Sequence, residues 1–464
     1  MDQFASVAIV TAIELGLFAA ILFAVFGVDD LLVDALHIGG IGTNRLPPVP
    51  RDGKTAMRFA VMVPAWQESD TIGAMLRTLL HRWADAHIRV YVGVYQNDLA
   101  TLLAVVDVAK RDDRVRIVIN DAPGPTTKAG CLNRMWRRCM ADAATGQFHA
   151  EALLLHDAED VVDAAELYVL AQALEGAEFA QLPVVPMRHR DSPWVSGHYC
   201  DEFAEAHGKD MPVRCAIGAA LPLAGVGCAV RMSALRRLAG THGPFGSGSL
   251  TEDYELGLRL AESGARGAFV RRRTEDGRLV ASRGYFPCRI ESAVRQKTRW
   301  LRGNALEAWD HLGWLRLSST GNYGQWATWW MLWRDRRAAL SAVAILCAYV
   351  SLIAGLLAQA LFPTMVAAAL AEQPTLVWLS GFNLMLLLWR ALVRTTMVGR
   401  LYGWSQAPMA LARIPVSNII LVMTAWRALL GYWRGRSGAA LVWDKTAHHF
   451  PDDIGLETAL DIRR

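Results

Sequence analysis

The sequence predicts an α/β domain with a mostly parallel sheet, carried on membrane-crossing α-helices that lie on both sides of it along the chain. Between residues 55 and 325, short runs of β-forming residues alternate with stretches of helical periodicity, the pattern of a parallel sheet covered by helices. Charge-free runs of spanning length lie before and after that region. The composition agrees: 53% of the 464 residues are hydrophobic, and the mean hydropathy of +0.20 is high for a wholly soluble chain.

Residues 4–28 are apolar apart from Glu14, so residues 1–30 are assigned to an N-terminal transmembrane helix. No basic segment or small-residue cleavage site marks a removable signal peptide. Asp2 precedes the span, whereas Arg45, Arg51, Lys54 and Arg58 follow it. The positive-inside rule then places the N-terminus outside and the next domain in the cytoplasm. Glu14 calls for a partner helix or a polar path. A connector with Pro47, Pro48 and Pro50 leads into the domain of residues 55–325. There, runs at 59–63, 90–94 and 116–119 read as strands. Ile72, Met75, Leu76, Leu79 and Leu80 recur at helical spacing.

Residues 338–432 are expected to hold transmembrane and interfacial helices. Residues 338–362 carry no charge and span; residues 373–389, extended past Arg390, form a further span. Residues 414–426 are only 13 without a charge, bounded by Arg413 and Arg427. That length and those flanks favour an interfacial helix. Three spans result, with a cytoplasmic tail at 433–464; four spans are the competing topology.

A net charge of +4 gives no support to a nucleic-acid partner, although arginines cluster locally, as at Arg271-Arg272-Arg273. Seven cysteines without a Cys-x-x-Cys pair argue against a disulfide framework or zinc site and favour a reduced compartment.

Seven stretches could carry chemistry. Leu153-Leu154-Leu155 ends in His156-Asp157-Ala158-Glu159-Asp160. Carboxylates at the carboxyl end of a strand sit where α/β sheets bind ligands. Asp157 and Glu159 would share one side of an extended chain and suit Mg²⁺ or Mn²⁺, with Asp160 on the other side. The same residues could instead cap the following helix. Val63-Pro64-Ala65-Trp66-Gln67-Glu68-Ser69 opens a helix after the first strand, a position that meets nucleotides or merely caps. Asn97 and Asp98 end the second strand, where they could read a base edge or form an Asx-turn. Lys128 begins a helix after Pro123-Gly124-Pro125, placed to face phosphate oxygens or solvent. Gly225 and Gly227 permit close backbone approach to a ligand or simple packing. Thr251-Glu252-Asp253 starts a helix, as a cap or as a source of a general base. Gln296, Arg299 and Trp300 share a helical face. Guanidinium binds diphosphate and tryptophan suits a sugar face or the membrane interface.

The order of these motifs resembles the membrane-bound family 2 glycosyltransferases of the processive, synthase type. His156-Asp157-Ala158-Glu159-Asp160 and the late Trp443-Asp444-Lys445-Thr446-Ala447-His448-His449-Phe450-Pro451 are similar, more narrowly, to the phage-adsorption protein B group. The resemblance covers nearly the whole chain. It implies a GT-A (Rossmann-like) catalytic domain, a nucleotide-diphosphate sugar donor and a divalent metal, Mg²⁺ or Mn²⁺. By the same resemblance Asp157 and Glu159 hold the metal, and Asp253 is the catalytic base with Thr251 and Glu252 around it. Pro64, Glu68, Asn97, Asp98, Lys128 and Asp157 bind the donor. Gln296, Arg299, Trp300 and Gly227 serve the diphosphate and acceptor. Gln96-Asn97-Asp98-Leu99 departs from the family's usual Asp-Asp-Gly-Ser. Longer members of the narrower group carry a C-terminal cyclic-dinucleotide domain, and its control is expected to be absent here or to reside in another protein.

The expected activity is inverting hexosyl or N-acetylhexosaminyl transfer to a growing polysaccharide at the bacterial inner membrane, with the catalytic domain cytoplasmic. A lipid-linked acceptor loaded with one sugar is the alternative, and a catalytically silent component of an envelope or phage-receptor assembly is a third reading. The lipid bilayer is a partner in each, and an outer-membrane export partner is expected for a polymer.

Overall fold

The computed structural model describes the chain except residues 1, 44–45, 52, 247, 318–321, 436–449 and 452–464. Most of the expected tail, and the motif from Trp443 to His449, lies outside the described residues.

The chain begins with α1 (Asp2–Ile38), a helix of 37 residues. At 1.5 Å per residue it is about 55 Å long, well beyond a hydrocarbon core of about 30 Å. It therefore runs past the expected boundary at residue 30. Glu14 is exposed on it.

The α/β unit follows: β1 (Phe59–Pro64), α2 (Ile72–Arg82), β2 (Ile88–Val94), α3 (Leu99–Ala109), β3 (Val115–Ile119), α4 (Lys128–Ala144), β4 (Ala152–Leu155), α5 (Glu166–Gly176), β5 (Phe179–Gln181) and β6 (Val184–Met187). After α6 (Val195–Glu205) come a π-helical turn (Ala206–Asp210), α7 (Met211–Ala216), β7 (Cys228–Arg231), α8 (Met232–Leu238), α9 (Glu252–Glu262), β8 (Gly267–Phe269) and β9 (Ser282–Tyr285). The main sheet has the order β3-β2-β1-β4-β7-β5-β8, and β6 pairs with β9 apart from it. All pairs are parallel except those of β7, which runs against both β4 and β5. This is the Rossmann-like arrangement.

Alternation along the strands builds two core layers. Phe59, Val61 and Val63 of β1 face the layer made with α2, α3 and α5. Ala60 and Met62 face the layer made with α4 and α9. Strands buried on both faces read as continuous apolar runs. Each fully buried Val, Leu or Phe contributes about 1.5–3 kcal/mol of stabilisation.

Register sets the site. Met62 pairs with Leu155, so β1 and β4 leave the sheet side by side at Pro64 and His156. Leu155 also pairs with Cys228, which brings the Gly225–Gly227 loop to the same edge.

The rest is helical: α10 (Ile290–Leu301), a second π-helical turn (Arg302–Glu307), α11 (Ala308–Leu312), α12 (Gln325–Arg336), α13 (Ala338–Leu361), α14 (Pro363–Ala371), α15 (Pro374–Tyr402), α16 (Ala407–Ala412) and α17 (Ile414–Gly435). By length and composition, four helices could cross a membrane: α1, α13, α15 and α17. The last corrects the sequence reading, which stopped at Arg427. The helix continues through that exposed arginine to 22 residues. Its two ends, however, are bonded to elements outside the membrane-capable helices. Arg413 donates to both oxygens of Asp201 in α6, at 2.6 and 2.7 Å. Tyr432 donates to Asp310 of α11 at 2.5 Å.

Ion pairs fasten the long helices to one another and to the α/β unit. Asp29 and Asp30 of α1 meet Arg334 and Arg337, with Arg337 at 2.5 Å from Asp30. Arg390 and Arg394 of α15 each reach Glu205 at 2.6 Å. Lys209 binds Asp34. Removing one member of such a buried set leaves an uncompensated charge, a loss of about 3–5 kcal/mol.

Candidate active site

A cavity of about 360 Å³ opens at the carboxyl end of the sheet. It gathers Pro64, Glu68, Lys128, Asp157, Glu159, Thr251, Glu252, Asp253, Gln296, Arg299 and Trp300, which the sequence places in five separate motifs. Asn97, Asp98 and Gly227 are not among its lining residues.

Asp98 and Asn97 instead hold the loops that shape the rim. Asp98 accepts from Gln67 N at 2.5 Å and caps α3 through Thr101 N. Gln67 has φ 54°, a left-handed backbone that this bond stabilises. Asn97 exchanges two hydrogen bonds of 2.7 Å with the backbone of Gly124. Neither side chain closes an Asx-turn: Asn97 joins the Gly124 loop, and Asp98 joins the Gln67 turn and caps α3. Glu68 accepts from Thr71 at 2.8 Å across the start of α2 while still lining the cavity. A side chain at Gly227 would press on Ser282, so that glycine serves packing.

Lys128 is the centre of the site. Thr127 caps α4 by accepting from Gly130 N at 3.0 Å, which points the first helical turn at the cavity. Lys128 Nζ lies 2.7 Å from Asp157 Oδ1 and 3.7 Å from Glu252 Oε1, joining the two acidic clusters. Burial opposes its charge, but Asp157, Glu252 and Asp253 hold its pKa above the usual lysine value.

After β4 the chain turns rather than continuing as a strand: Asp160 N donates to Asp157 O at 3.2 Å. The alternation used to sort Asp157, Glu159 and Asp160 therefore does not apply. What sorts them is His156. This fully buried imidazole bonds Asp160 through Nδ1 and Glu166 through Nε2, both at 2.9 Å. Asp160 also accepts the amide of Asp157 at 3.0 Å. Burial alone would keep His156 neutral; Glu166 and Asp160 reverse this and raise its pKa to about 10. The imidazolium thus pins the turn that presents Asp157.

Across the cavity, Thr251 precedes α9. Burial, only partly offset by Lys128, raises the pKa of Glu252 to about 7 and raises that of Asp253 from its ordinary value. Asp253 Oδ1 accepts from Tyr254 N at 2.8 Å. Its Oδ2 faces Gly225, where a Cβ would stand 2.5 Å away. Gly225 has φ 75°, so both space and backbone require glycine there. Gln181 fixes this loop, donating to Val226 O and accepting from Ala224 N, each at 2.8 Å.

The third wall is α10. Trp300 sits in an aromatic group with Tyr199, Phe203 and Phe286, its ring 6.1–6.3 Å from theirs. The π-helical turn that follows puts Gly303 against Thr251, where a side chain would overlap. Such turns recur at functional sites. Gln296 Oε1, Asn304 Oδ1 and Thr251 Oγ1 are buried at the cavity without a hydrogen-bond partner. Buried polar atoms left unsatisfied call for a ligand or water.

Residues absent from the sequence reading are thus Gln181, Asn304 and the bonds of His156 and Glu166. Only Asn304 had a legible signal: it lies eight positions after Gln296, on the same helical face.

Among the described residues, no three His, Cys, Asp or Glu side chains converge as a ready metal cage. That fits Mg²⁺ or Mn²⁺, which are commonly held by one or two carboxylates together with substrate phosphates and water.

Comparison with known proteins follows this geometry. The profile described as "Glycosyltransferase like family 2" matches residues 56–303. Bacteriophage adsorption protein B of Escherichia coli K12 is 32% identical over 471 residues, covering 94% of this chain and 62% of that protein. Bacteriophage N4 adsorption protein B of Escherichia coli O157:H7 matches to the same extent. The chain therefore spans less than two thirds of these relatives' length. Among solved structures, the mannosyltransferase PcManGT of Pyrobaculum calidifontis, in complex with GDP-Man and Mn²⁺, superposes with a TM-score of 0.49 at 14% identity, covering 91% of this chain and 99% of that one. Glucosyl-3-phosphoglycerate synthase of Mycobacterium tuberculosis, with Mn²⁺, UDP-glucose and phosphoglyceric acid, gives 0.28 at 15%, covering 46% and 69%. With the family profile matched over more than half of its length, the chain belongs to the family 2-like glycosyltransferases.

Proposed function

We propose that the chain is an inverting glycosyltransferase of the bacterial inner membrane, moving a hexosyl or N-acetylhexosaminyl group from a nucleotide-diphosphate sugar to a growing polysaccharide. The observation that carries this reading is Lys128, which bridges the Asp157 turn and the Glu252-Asp253 helix start inside one cavity.

The loops stitched by Asn97 and Asp98 form the nucleotide end. Asp157, Glu159 and the donor's phosphates would hold Mg²⁺ or Mn²⁺, which supplies positive charge to the departing diphosphate. Lys128 and Arg299 neutralise the same charge from the protein side. The acceptor lies against Trp300 and its aromatic neighbours, since ring faces suit sugars. Its hydroxyl has a high pKa, so a base must take the proton during attack. Asp253, which lines the cavity and whose pKa burial raises, serves as that base. Direct attack from the side opposite the diphosphate inverts the anomeric carbon.

The membrane frame supports a cytoplasmic site. Arg334 and Arg337, just before α13, pair with Asp29 and Asp30 of α1, and Arg390 and Arg394 of α15 pair with Glu205 of α6. Positive charge thus gathers towards the α/β unit, as the positive-inside rule requires of the cytoplasmic face. Because Arg413, just before α17, is held by Asp201 and Tyr432, near its end, by Asp310, both outside the membrane-capable helices, we assign α17 to the interface, leaving three spans.

A donor screen with purified full-length protein tests the activity. Release of nucleoside diphosphate from a sugar donor, dependent on Mg²⁺ or Mn²⁺, is expected. No release from any donor would overturn the proposal and favour a silent assembly component. Product length separates a polymer from a lipid carrying one sugar.

A further inference from the structure

A second cavity, of about 470 Å³, lies behind the catalytic one and shares Val184, Phe203 and His207 with it. It opens where the C-terminal end of α1 meets that of α15, at the level of the charged helix ends. Its charged lining is of one sign, Arg271, Arg273 and Arg400, beside His37 and His207, with no Asp or Glu among the described lining residues.

The contrast with its surroundings is informative. Nearby, Lys209, Arg334, Arg337, Arg390 and Arg394 each meet a carboxylate within 4 Å. Arg271 instead donates to Gly208 O at 3.0 Å, and its Nε is buried without a partner. His37 Nδ1 is likewise buried and unpaired. Burial and the neighbouring Arg273 pull the pKa of Arg271 below its ordinary value. Uncompensated positive charge of this kind is costly unless an anion answers it. The remainder of the lining is apolar, including Leu46, Met397 and Leu401.

We infer that this cavity binds a phosphate ester, its phosphate held by Arg271, Arg273 and Arg400. Guanidinium forks match phosphate oxygens. The position at the helix ends suits the headgroup of an anionic lipid, and a soluble phosphate compound has the same recognition chemistry. The inference does not depend on the proposed transfer reaction, because none of the three arginines lines the catalytic cavity.

The test uses the full chain in detergent. Native mass spectrometry counts retained phosphatidylglycerol against phosphatidylcholine, and calorimetry with glycerol 3-phosphate probes the soluble source. Wild type is compared with the double variant Arg271→Gln, Arg273→Gln and with Arg400→Gln, an exposed position whose change does not threaten the fold. Preferential retention of phosphatidylglycerol that falls at least about tenfold in both variants establishes a lipid site, each lost charge-assisted contact accounting for about that factor. Glycerol 3-phosphate binding with the same arginine dependence establishes a soluble ligand. The inference is overturned if neither probe binds, or if binding is indifferent to the arginines.

Discussion

Replacing His156 by leucine should uncouple the turn that presents Asp157 from the rest of the sheet. The imidazole is fully buried between Asp160 and Glu166, themselves 7% and 0% exposed. Leucine leaves two buried carboxylates without a cation, a loss of about 3–5 kcal/mol. The pH dependence identifies the cause. A histidine whose folded pKa, about 10, lies above its unfolded value stabilises the fold fully below that unfolded value, near 6.5. The contribution is lost as the pH rises through about 10. The interval corresponds to an upper limit of about 5 kcal/mol, at about 1.4 kcal/mol per pH unit. Thermal unfolding in detergent reads this directly. At about pH 6, His156→Leu should melt well below wild type; by about pH 10 the two midpoints should converge. A gap that stays constant across that range would refute the charged pin.

Lys128→Met should slow nucleoside diphosphate release about 10²–10³-fold, the usual loss when one preorganised charge-stabilising group is removed, and Lys128→Arg should recover part of it. Gly225→Ala forces a Cβ against Asp253 Oδ2 at a left-handed backbone position. It should lower the transfer rate while donor affinity, measured by calorimetry, is retained. A tag placed after residue 464 should be digested by protease only in inverted vesicles, on the side of the catalytic unit. Digestion in right-side-out spheroplasts would make α17 a fourth span.

Much of this arrangement was legible because a parallel sheet delivers its strand ends to one edge. Motifs that follow β1, β4 and the helix starts of α4 and α9 therefore meet whatever their distance in sequence. What the sequence withheld is orientation. Strand alternation set Asp160 apart from Asp157 and Glu159, but only the turn after Leu155 shows that it faces His156. Glu166 read as part of a helix start, and nothing local marks it as the second partner of that imidazole. Gln181 is buried in a three-residue strand, too short for a pattern, so its grip on the Gly225 loop was hidden. The reversed direction of β7 has no local signal either. The length of α17 was misjudged because a single exposed arginine, Arg427, was taken as a boundary. An arginine on the outer face of a helix interrupts hydropathy without interrupting its hydrogen bonds.

The central claim is that one cavity joins a donor side at Asp157 to a base at Asp253. The most direct measurement is transfer and donor binding by Asp253→Asn beside wild type, with the donor found by screening. Transfer should fall about 10²–10⁴-fold, the contribution of a general base, while donor affinity stays essentially unchanged. Wild-type turnover by Asp253→Asn would contradict the account.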